Sequence, residues 1–401
     1  MKRCHPERSA TREVEEPQTL QREILRAIAA WHEKGVELSD GAFDDLALRV
    51  FAHQLRRNAP YARYCAAKGV TLERFPRRWH EIPAVPSAAY KEAALTTFDP
   101  SKAALTFQTS GTTQGAGGVH SMESSALYDA ALLAGFDRLV LADGARLRYL
   151  NLVPNPKEKP SSSLGYMMAR IARLRGSGAT GWYVRGEALL LDEFFDNVRD
   201  AAARAQPLCI ATTAFALVAV LDAAEARGVR LRLAGGSRIM ETGGFKGRTR
   251  VLSRDELYER TCRWFGVSDS QIIAEYGMTE LTSQWYDSVP RLRQAAPTYA
   301  RDDKNSPSAD SKDKPNVVER ARLKVSPTWL RARAVATDGT TLPDGVVGAL
   351  AHVDLANLSS CVAVQTEDLG ARFGNELVLI GREQGAELRG CSLDAETLAA
   401  R

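Results

Sequence analysis

An α/β fold with helices around a mostly parallel sheet is predicted by three features of this sequence. Short apolar runs alternate with amphipathic helical patterns through the middle of the chain, which indicates βαβ units. Short apolar segments separated by turn residues fill the last third, so we expect that part to be rich in β-strands. The chain has 401 residues, of which 44% are apolar, so it can bury a large core in one two-part domain or in two domains.

The N-terminal part is predicted to begin with a tail and two amphipathic helices. Residues 1–18 are charged and poor in large apolar side chains, so we expect a disordered tail. Apolar residues then recur at spacings of three and four, which predicts helices over 20–34 and 40–58. Two prolines within 82–91 predict an extended stretch before a further helix, for which Ser87 is the candidate N-cap.

The remaining elements are predicted from the periodicity of apolar residues. In the middle of the chain, strands are expected at 147–153, 208–212 and 231–235, and helices at 161–173, 193–205 and 214–227. A polar stretch at 301–314 is expected to be a mobile loop. Strands are predicted again at 330–337, 348–354 and 362–365, with a Pro-Asp-Gly turn inside 342–345.

Composition argues against several classes of function. The formal net charge of +4 is small and its basic residues are spread along the chain, so we expect no nucleic-acid partner. The six cysteines have no C-x-x-C spacing and form no Cys/His cluster, which argues against a disulfide scaffold or a structural zinc site. No apolar run is long enough to span a membrane, and the first residues lack the apolar region of a signal peptide. We therefore expect a cytoplasmic protein.

A glycine-rich segment at 107–120 is the first candidate for a site. It follows the apolar-alternating run at 103–107 and contains four glycines and four Ser or Thr residues. Glycines allow backbone N–H groups to turn towards an anion, and hydroxyl groups add further donors, so this composition is typical of a phosphate-binding loop. It is not a Walker A loop, because no Lys-Ser/Thr pair follows its glycines. A flexible surface loop is the alternative interpretation.

Two further segments have residues that suit a nucleotide. Tyr276-Gly-Met-Thr-Glu280 follows a short apolar run at 271–274, and the carboxyl end of a parallel strand is a favoured ligand position. A tyrosine can stack on a purine, while threonine and glutamate can hold phosphate and Mg²⁺. Asp368 follows the predicted strand at 362–365, where its carboxylate would suit the hydroxyl groups of a ribose. Either segment alone is more often ordinary loop sequence.

Together with Gly381-Arg382, these segments occur in the order and approximate separation of the adenylate-forming (ANL) superfamily. More narrowly, the sequence resembles the acyl-protein synthetase family, also called long-chain-fatty-acid luciferin-component ligase, over about residues 20 to 401. The segments that carry this resemblance are Glu241-Thr-Gly-Gly-Phe-Lys-Gly-Arg248, Asp354-Leu-Ala-Asn-Leu358, Gln365-Thr-Glu-Asp-Leu-Gly370 and Arg389-Gly-Cys-Ser-Leu393. The resemblance implies a large adenylate-forming domain at 19–375 and a truncated segment at 376–401 in place of a full mobile C-terminal domain.

The resemblance also implies a reaction in two steps that uses ATP and Mg²⁺. A fatty acid attacks ATP to give an acyl-adenylate and pyrophosphate, and the acyl group then moves to the thiol of Cys391. From this thioester it passes to a partner, an acyl reductase or another acceptor protein. Two alternatives stay open: an acyl- or aryl-CoA ligase of the phenylacetate type, and a non-catalytic protein that binds a nucleotide or an acyl group.

The same resemblance assigns roles to individual residues. It implies phosphate binding by Thr109, Ser110, Gly111, Thr112 and Thr113, an adenine slot at Gly243 and Gly244, adenine stacking on Tyr276 beside Gly277, phosphate and Mg²⁺ binding by Thr279 and Glu280, and ATP binding by Asp368, on the ribose, and by Arg382. The phosphate loop lacks the lysine that many superfamily members have near its end. His120 and Lys246 are the candidates for a positive charge there, and the cation that replaces the lysine of the missing C-terminal domain stays unassigned.

Overall fold

The structure is a computed structural model that describes residues 17–109, 117–243, 253–288, 300–301 and 322–382. Its helices are α1 (Pro17–Lys34), α2 (Asp40–Arg57), α3 (Ala59–Ala67), α4 (Ala89–Glu92), α5 (Ala126–Leu139), α6 (Ser163–Arg175), α7 (Leu191–Ala203), α8 (Ala214–Ala226) and α9 (Arg254–Phe265). Its first strands are β1 (Val85–Pro86), β2 (Leu105–Gln108), β3 (Val119–Met122), β4 (Arg148–Leu152), β5 (Gly181–Trp182), β6 (Val184–Arg185), β7 (Ala188–Leu189), β8 (Leu208–Thr213) and β9 (Arg238–Thr242). The later strands are β10 (Ile272–Tyr276), β11 (Trp285–Asp287), β12 (Ala300–Arg301), β13 (Leu323–Val325), β14 (Leu330–Val335), β15 (Val346–Asp354), β16 (Ala363–Phe373) and β17 (Glu376–Arg382).

One large mixed sheet runs through the described part of the protein. Its strand order is β12-β15-β16-β17-β13-β11-β10-β9-β8-β4-β5, with β1 paired to β16 and β14 paired to β15. The strands from β5 to β10 pair in parallel, whereas those from β10 through β11, β13, β17, β16 and β15 pair antiparallel. The predicted α/β class is confirmed, including the parallel region and the β-rich last third.

The helices pack against the sheet and against one another through apolar faces. In α1 the buried residues are Leu20, Ile24, Ile28 and Trp31, whose spacing of three and four places them on one side of the helix. They pack with α2, α3 and the segment after β15. Helices α7, α8 and α9 cover one face of the parallel strands, and α5 and α6 cover the other. The carboxyl ends of β8, β9 and β10 therefore open at one edge of a sheet that is covered on both faces.

One predicted strand is wrong. Residues 231–235 do not pair in the sheet, and the strand that follows α8 is β9, several residues later. The backbone N–H groups of Leu231 and Leu233 instead donate to the carbonyl groups of Trp264 and Phe265 at the end of α9, both at 2.9 Å. The apolar run thus packs along a helix end, which sequence periodicity does not distinguish from strand pairing.

The prediction that Ser87 caps the next helix is also wrong. Ala88 occupies the N-cap position of α4 and makes no side-chain capping bond. The backbone N–H of Ser87 donates to the carbonyl oxygen of Gln365 at 2.8 Å, which continues the pairing of β1 with β16. The extended conformation that the prolines predict is therefore used for sheet pairing.

Other predictions lie partly outside the described residues. Of the predicted tail, only residues 17 and 18 are described, and they begin α1; of the predicted loop at 301–314, only residue 301 is described. Strand β17 begins at Glu376, directly after the predicted boundary at 375, and pairs with β13 and β16. Within the described ranges, no helix combines the length and apolar character needed to cross a lipid bilayer.

A buried cluster of Asp287, Arg322 and Lys324 is hydrogen-bonded to β10. Asp287 accepts hydrogen bonds from Lys324 Nζ at 2.9 Å, from Arg322 Nη1 at 3.0 Å and from the backbone N–H of Ala274 at 3.0 Å. The two cations also donate to carbonyl oxygens of β10, Lys324 to Ala274 at 3.1 Å and Arg322 to Ile272 at 2.7 Å. Burial opposes ionisation of Asp287, but the two cations lower its pKa below the ordinary value. The cluster fixes the strand that leads into the candidate site.

Candidate functional site

The glycine-rich segment connects the two strands of a small hairpin. Strands β2 and β3 pair antiparallel, and the chain between them is described only at its two ends. At this neck the Thr109 N–H donates to the Gly118 carbonyl at 2.9 Å, and the Gly118 N–H donates to Thr109 Oγ1 at 2.7 Å. A Cβ atom on Gly117 would lie 2.3 Å from the Thr109 carbonyl oxygen. Only glycine therefore fits at position 117 while the two ends of the segment are bonded to each other. The remaining predicted phosphate-binding residues, Ser110, Gly111, Thr112 and Thr113, lie outside the described residues.

His120 connects this hairpin to two other segments. Its Nδ1 lies 2.7 Å from the carbonyl oxygen of Thr279, and its Nε2 lies 2.9 Å from Ser360 Oγ. Because a carbonyl oxygen only accepts, Nδ1 has the proton and Nε2 accepts from the serine hydroxyl. The imidazole is buried, and burial lowers its pKa to about 4. The lowered pKa favours a neutral ring at pH 7, opposite to the charge predicted for His120, and the two bonds of the ring link the hairpin to the segments of Thr279 and Ser360.

The segment that begins at Tyr276 leaves the sheet at the carboxyl end of β10. The Tyr276 hydroxyl donates to Asp368 Oδ2 at 2.9 Å and lies 3.2 Å from His352 Nε2. A Cβ on Gly277 would lie 2.4 Å from Glu275 Oε1, so glycine lets this turn pack against a buried carboxylate. That carboxylate also accepts from the Thr242 hydroxyl, and burial raises its pKa to about 7. Stacking of adenine on the Tyr276 ring stays a prediction.

The predicted end of the strand at 365, before Asp368, is wrong. Strand β16 continues to Phe373, so Asp368 lies within it, opposite Arg382 in β17. An irregularity in pairing between Leu369 and Gly370 follows immediately. The strand is longer than its apolar run because β15 and β17 both pair with it and satisfy its backbone groups. Asp368 is thereby held at a fixed register next to Tyr276.

Asp354, the last residue of β15, and Asn357, three residues later, clamp the loop that contains Glu280. Asp354 accepts from the backbone N–H groups of Thr282 and Ser283, at 3.0 and 2.8 Å, and from the Ser283 hydroxyl at 2.9 Å. Asn357 accepts from Thr282 and donates to the Glu280 carbonyl at 2.9 Å. Burial raises the pKa of Asp354 to about 6, while its bonds to Ser283 oppose that rise. The clamp holds the backbone of Glu280 independently of its side chain.

The clamp is itself attached to the N-terminal helices. Gln54 of α2 donates to the Asn357 carbonyl at 2.8 Å, and Asn58 donates to the Ser360 carbonyl at 3.1 Å. Sequence reasoning assigned no role to Asp354, Asn357 or Ser360, although two of them lie in a segment used for the family resemblance. The signal in the sequence that could have indicated these residues is their polar side chains within an otherwise apolar run.

Replacing Asp354 by asparagine tests the clamp. Both carboxylate oxygens accept from donors, Oδ1 also from the Ala356 N–H, so an amide group in either orientation turns its NH₂ towards other donors. We expect Asp354→Asn to lower the free energy of unfolding by about 1–3 kcal/mol. Urea denaturation measures this, with Asp338→Asn in an exposed turn as the matched control, expected to stay within about 0.5 kcal/mol. Equal effects of the two substitutions would contradict the clamp.

The remaining predicted residues lie at the neighbouring strand end or beyond the described chain. Gly243 follows β9 with a φ of 82°, a conformation that favours glycine. Two residues before it, Glu241 accepts from the Tyr258 hydroxyl at 2.6 Å, and burial raises the pKa of that glutamate. Gly244, Lys246 and Cys391 lie outside the described residues, as does the side chain of Arg382.

Residues that suit a magnesium ion are present but sparse. Glu280 is buried and follows Thr279, so the pair offers a carboxylate and a hydroxyl oxygen, the ligand types that Mg²⁺ prefers. In the part of the chain that the structure describes, no group of three or more His, Cys, Asp or Glu residues could hold a metal by itself. This fits an ion bound through one or two carboxylates and substrate phosphates better than a dedicated protein cage.

Comparison with known proteins relates this chain to solved structures only. No protein-family model matches the sequence, and no curated protein matches it. A structure of 2-hydroxyisobutyryl-CoA ligase, open and in complex with 2-HIB-AMP and CoA, is similar with a TM-score of 0.55 and 11% identity, over 86% of this chain and 71% of that one. The same ligase in its thioesterification state gives a TM-score of 0.54 and 14% identity, over 94% and 72%. This protein therefore has the fold of the adenylate-forming enzymes.

Proposed function

We propose that this protein activates a carboxylic acid, specifically a fatty acid, as its acyl-adenylate and then transfers the acyl group to its own Cys391. One observation carries the proposal. Three segments far apart in sequence meet at the carboxyl end of β10: His120 bonds the carbonyl of Thr279, and the Tyr276 hydroxyl bonds Asp368. Hydrogen bonds thus connect the hairpin, the Tyr276–Glu280 segment and β16, as a nucleotide-binding role for all three requires.

Adenylation needs a held carboxylate and neutralised phosphate more than it needs an acid or a base. In the proposed reaction, an oxygen of the substrate carboxylate attacks the α-phosphorus of ATP, the bond to the β-phosphate oxygen breaks, and pyrophosphate leaves. Thr109 and the rest of its loop would hold the β- and γ-phosphates, and Asp368 would accept hydrogen bonds from the ribose. Thr279 and Glu280 would hold Mg²⁺, which neutralises charge on the phosphates.

The fold is compatible with a bound acyl-adenylate. The 2-hydroxyisobutyryl-CoA ligase that shares it has been solved with its adenylate and with CoA. The proposed reaction has a different acyl acceptor from the CoA of that ligase, because the acceptor is a cysteine of the protein itself. In the proposed second step the thiolate of Cys391 attacks the acyl carbonyl carbon, AMP leaves, and the thioester passes to a partner acyl reductase or another acceptor. Arg389, two residues away, would favour the thiolate.

The test is covalent labelling of the full chain with a radiolabelled fatty acid, ATP and Mg²⁺ in the absence of CoA. We expect hydroxylamine-sensitive label on the wild-type protein and its complete loss in Cys391→Ala, with pyrophosphate release retained. The matched control is Cys262→Ala, since Cys262 is a partly exposed cysteine in α9 whose pKa burial raises. It should label like wild type.

Two other outcomes would overturn parts of the proposal. Label that persists in Cys391→Ala would contradict the acceptor assignment. Absence of label, together with acyl-CoA formation once CoA is added, would establish a CoA ligase instead. If fatty acids of all chain lengths fail to release pyrophosphate while the protein binds ATP, the non-catalytic alternative holds.

A further inference from the structure

Three buried polar side chains form one hydrogen-bonded row at the candidate nucleotide site. His352 of β15 is 0% exposed, and its Nε2 lies 3.2 Å from the hydroxyl oxygen of Tyr276. That hydroxyl lies 2.9 Å from Asp368 Oδ2. The three residues belong to three different strands, β15, β10 and β16, so only the tertiary fold brings them into one row.

The direction of the hydrogen bonds in this row follows from what each group can donate. The Tyr276 hydroxyl donates to an oxygen of the Asp368 carboxyl group, so the Tyr276 proton points at Asp368. The phenol oxygen must then accept from His352, which places the imidazole proton on Nε2. Burial lowers the pKa of His352 to about 4, so the ring has a single proton at neutral pH. Its Nδ1 is then a bare acceptor, and this atom has no hydrogen-bond partner among the described residues.

The imidazole is also held in place by packing. Its ring centroid lies 5.6 Å from the Tyr276 ring and 5.9 Å from the Trp285 ring. Tyr276 and Trp285 belong to a small buried cluster with Leu330, Leu350 and Leu377. A side chain packed in this way presents its Nε2–H at one position. The Tyr276 hydroxyl is therefore held by two hydrogen bonds, one from His352 and one to Asp368.

We propose that His352 is a positioning residue for nucleotide recognition, which acts through Tyr276 to hold Asp368 in the orientation that selects a ribose. The inference rests on the proposed function, in which Asp368 accepts from the ribose hydroxyls. His352 does not touch the nucleotide, because it is fully buried. Its effect is specific: an acceptor held at a fixed position rejects a sugar that lacks the matching hydroxyl, whereas a loose acceptor does not.

The first experiment measures equilibrium binding of ATP, 2′-deoxy-ATP and 3′-deoxy-ATP to the full chain by dialysis. We expect wild type to prefer ATP over at least one deoxy analogue by roughly tenfold, as one hydrogen bond to a charged group would give. In His352→Leu this preference should fall to about twofold, because the row has lost its donor. His352→Gln has an amide donor on a side chain of similar reach and should retain most of the preference.

Control variants distinguish a positioning role of His352 from a general loss of stability. His53→Leu removes another buried histidine, in α2, so it should lower the thermal midpoint and leave the ratio of ATP to deoxy-ATP affinity unchanged. The double variant Tyr276→Phe/His352→Leu should be no less selective than Tyr276→Phe alone, since His352 acts only through the phenol. Nitrogen NMR of histidine-labelled protein should show the proton of His352 on Nε2.

Each outcome decides the proposal. An Nδ1 proton on His352, an unchanged ribose preference in His352→Leu, or no ribose preference in wild type would overturn it. The proposed function fails separately: a wild-type protein that binds ATP with a ribose preference but releases no pyrophosphate with any fatty acid would refute acid activation and leave the role of His352 intact.

Discussion

Replacement of Glu280 by alanine is expected to lower ATP-dependent pyrophosphate release by about 100- to 1,000-fold, the typical cost of removing one group that stabilises charge in a transition state. The carboxylate of Glu280 is the candidate magnesium ligand in the loop that follows β10. Its backbone is fixed separately, because its carbonyl accepts from Asn357 and the next residues are bound by Asp354. Loss of the side chain should therefore leave the loop in place.

The measurement is pyrophosphate release at saturating fatty acid, over a range of ATP and Mg²⁺ concentrations. Glu280→Gln keeps the size of the side chain and removes the charge, so it should resemble the alanine variant and shift the Mg²⁺ dependence to higher concentration. Glu367→Ala, an exposed glutamate beside Asp368, is the matched control and should behave as wild type. Wild-type activity of Glu280→Ala in folded protein would remove Glu280 from the proposed site.

Replacement of Asp287 by alanine is expected to destabilise the protein by about 3–5 kcal/mol, because it leaves two buried cations without their shared carboxylate. That is a large fraction of the roughly 5–15 kcal/mol that stabilises a typical domain. Both cations also bond carbonyl groups of β10, so the change should loosen the strand that ends at Tyr276. The expected result is a clearly lower midpoint of urea denaturation.

Asp269 supplies the matched control for this effect. It also contacts Arg322, but its side chain is 59% exposed. An exposed carboxylate contributes little, so Asp269→Ala should cost under about 1 kcal/mol. If the two substitutions had the same effect on the denaturation midpoint, burial of the Asp287 cluster would not be the source of its stability.

Local patterns predicted most of the secondary structure. The spacing of Leu20, Ile24, Ile28 and Trp31 predicted α1 because each buried contact repeats with the period of the helix itself. The turn before Val346 was predicted from its Pro-Asp-Gly residues, and Gly345 there adopts a φ of 80°, which glycine tolerates. The errors at 231–235 and at Ser87 both concern backbone groups that bond to distant parts of the chain.

The residues of the candidate site also fall into two groups, those that local motifs identified and those that depend on distant contacts. Tyr276, Glu280 and Asp368 were recognised from short motifs, since their neighbours in sequence belong to the same segment. His352 and Ser360 could not be found in this way. Ser360 lies 240 residues from its partner His120, and His352 lies 76 residues from Tyr276. No local pattern reports such contacts.

By itself, the sequence determined the α/β class, the positions of several helices and strands, and which segments contain nucleotide-binding residue types, because these depend on periodicity and on neighbours within a few residues. Only the tertiary structure decided that the imidazole of His120 is buried, that Asp368 lies within a strand, and that Asp354 holds the Glu280 loop. Burial and long-range hydrogen bonds set these properties, and both arise only when the strands pair and the helices cover them.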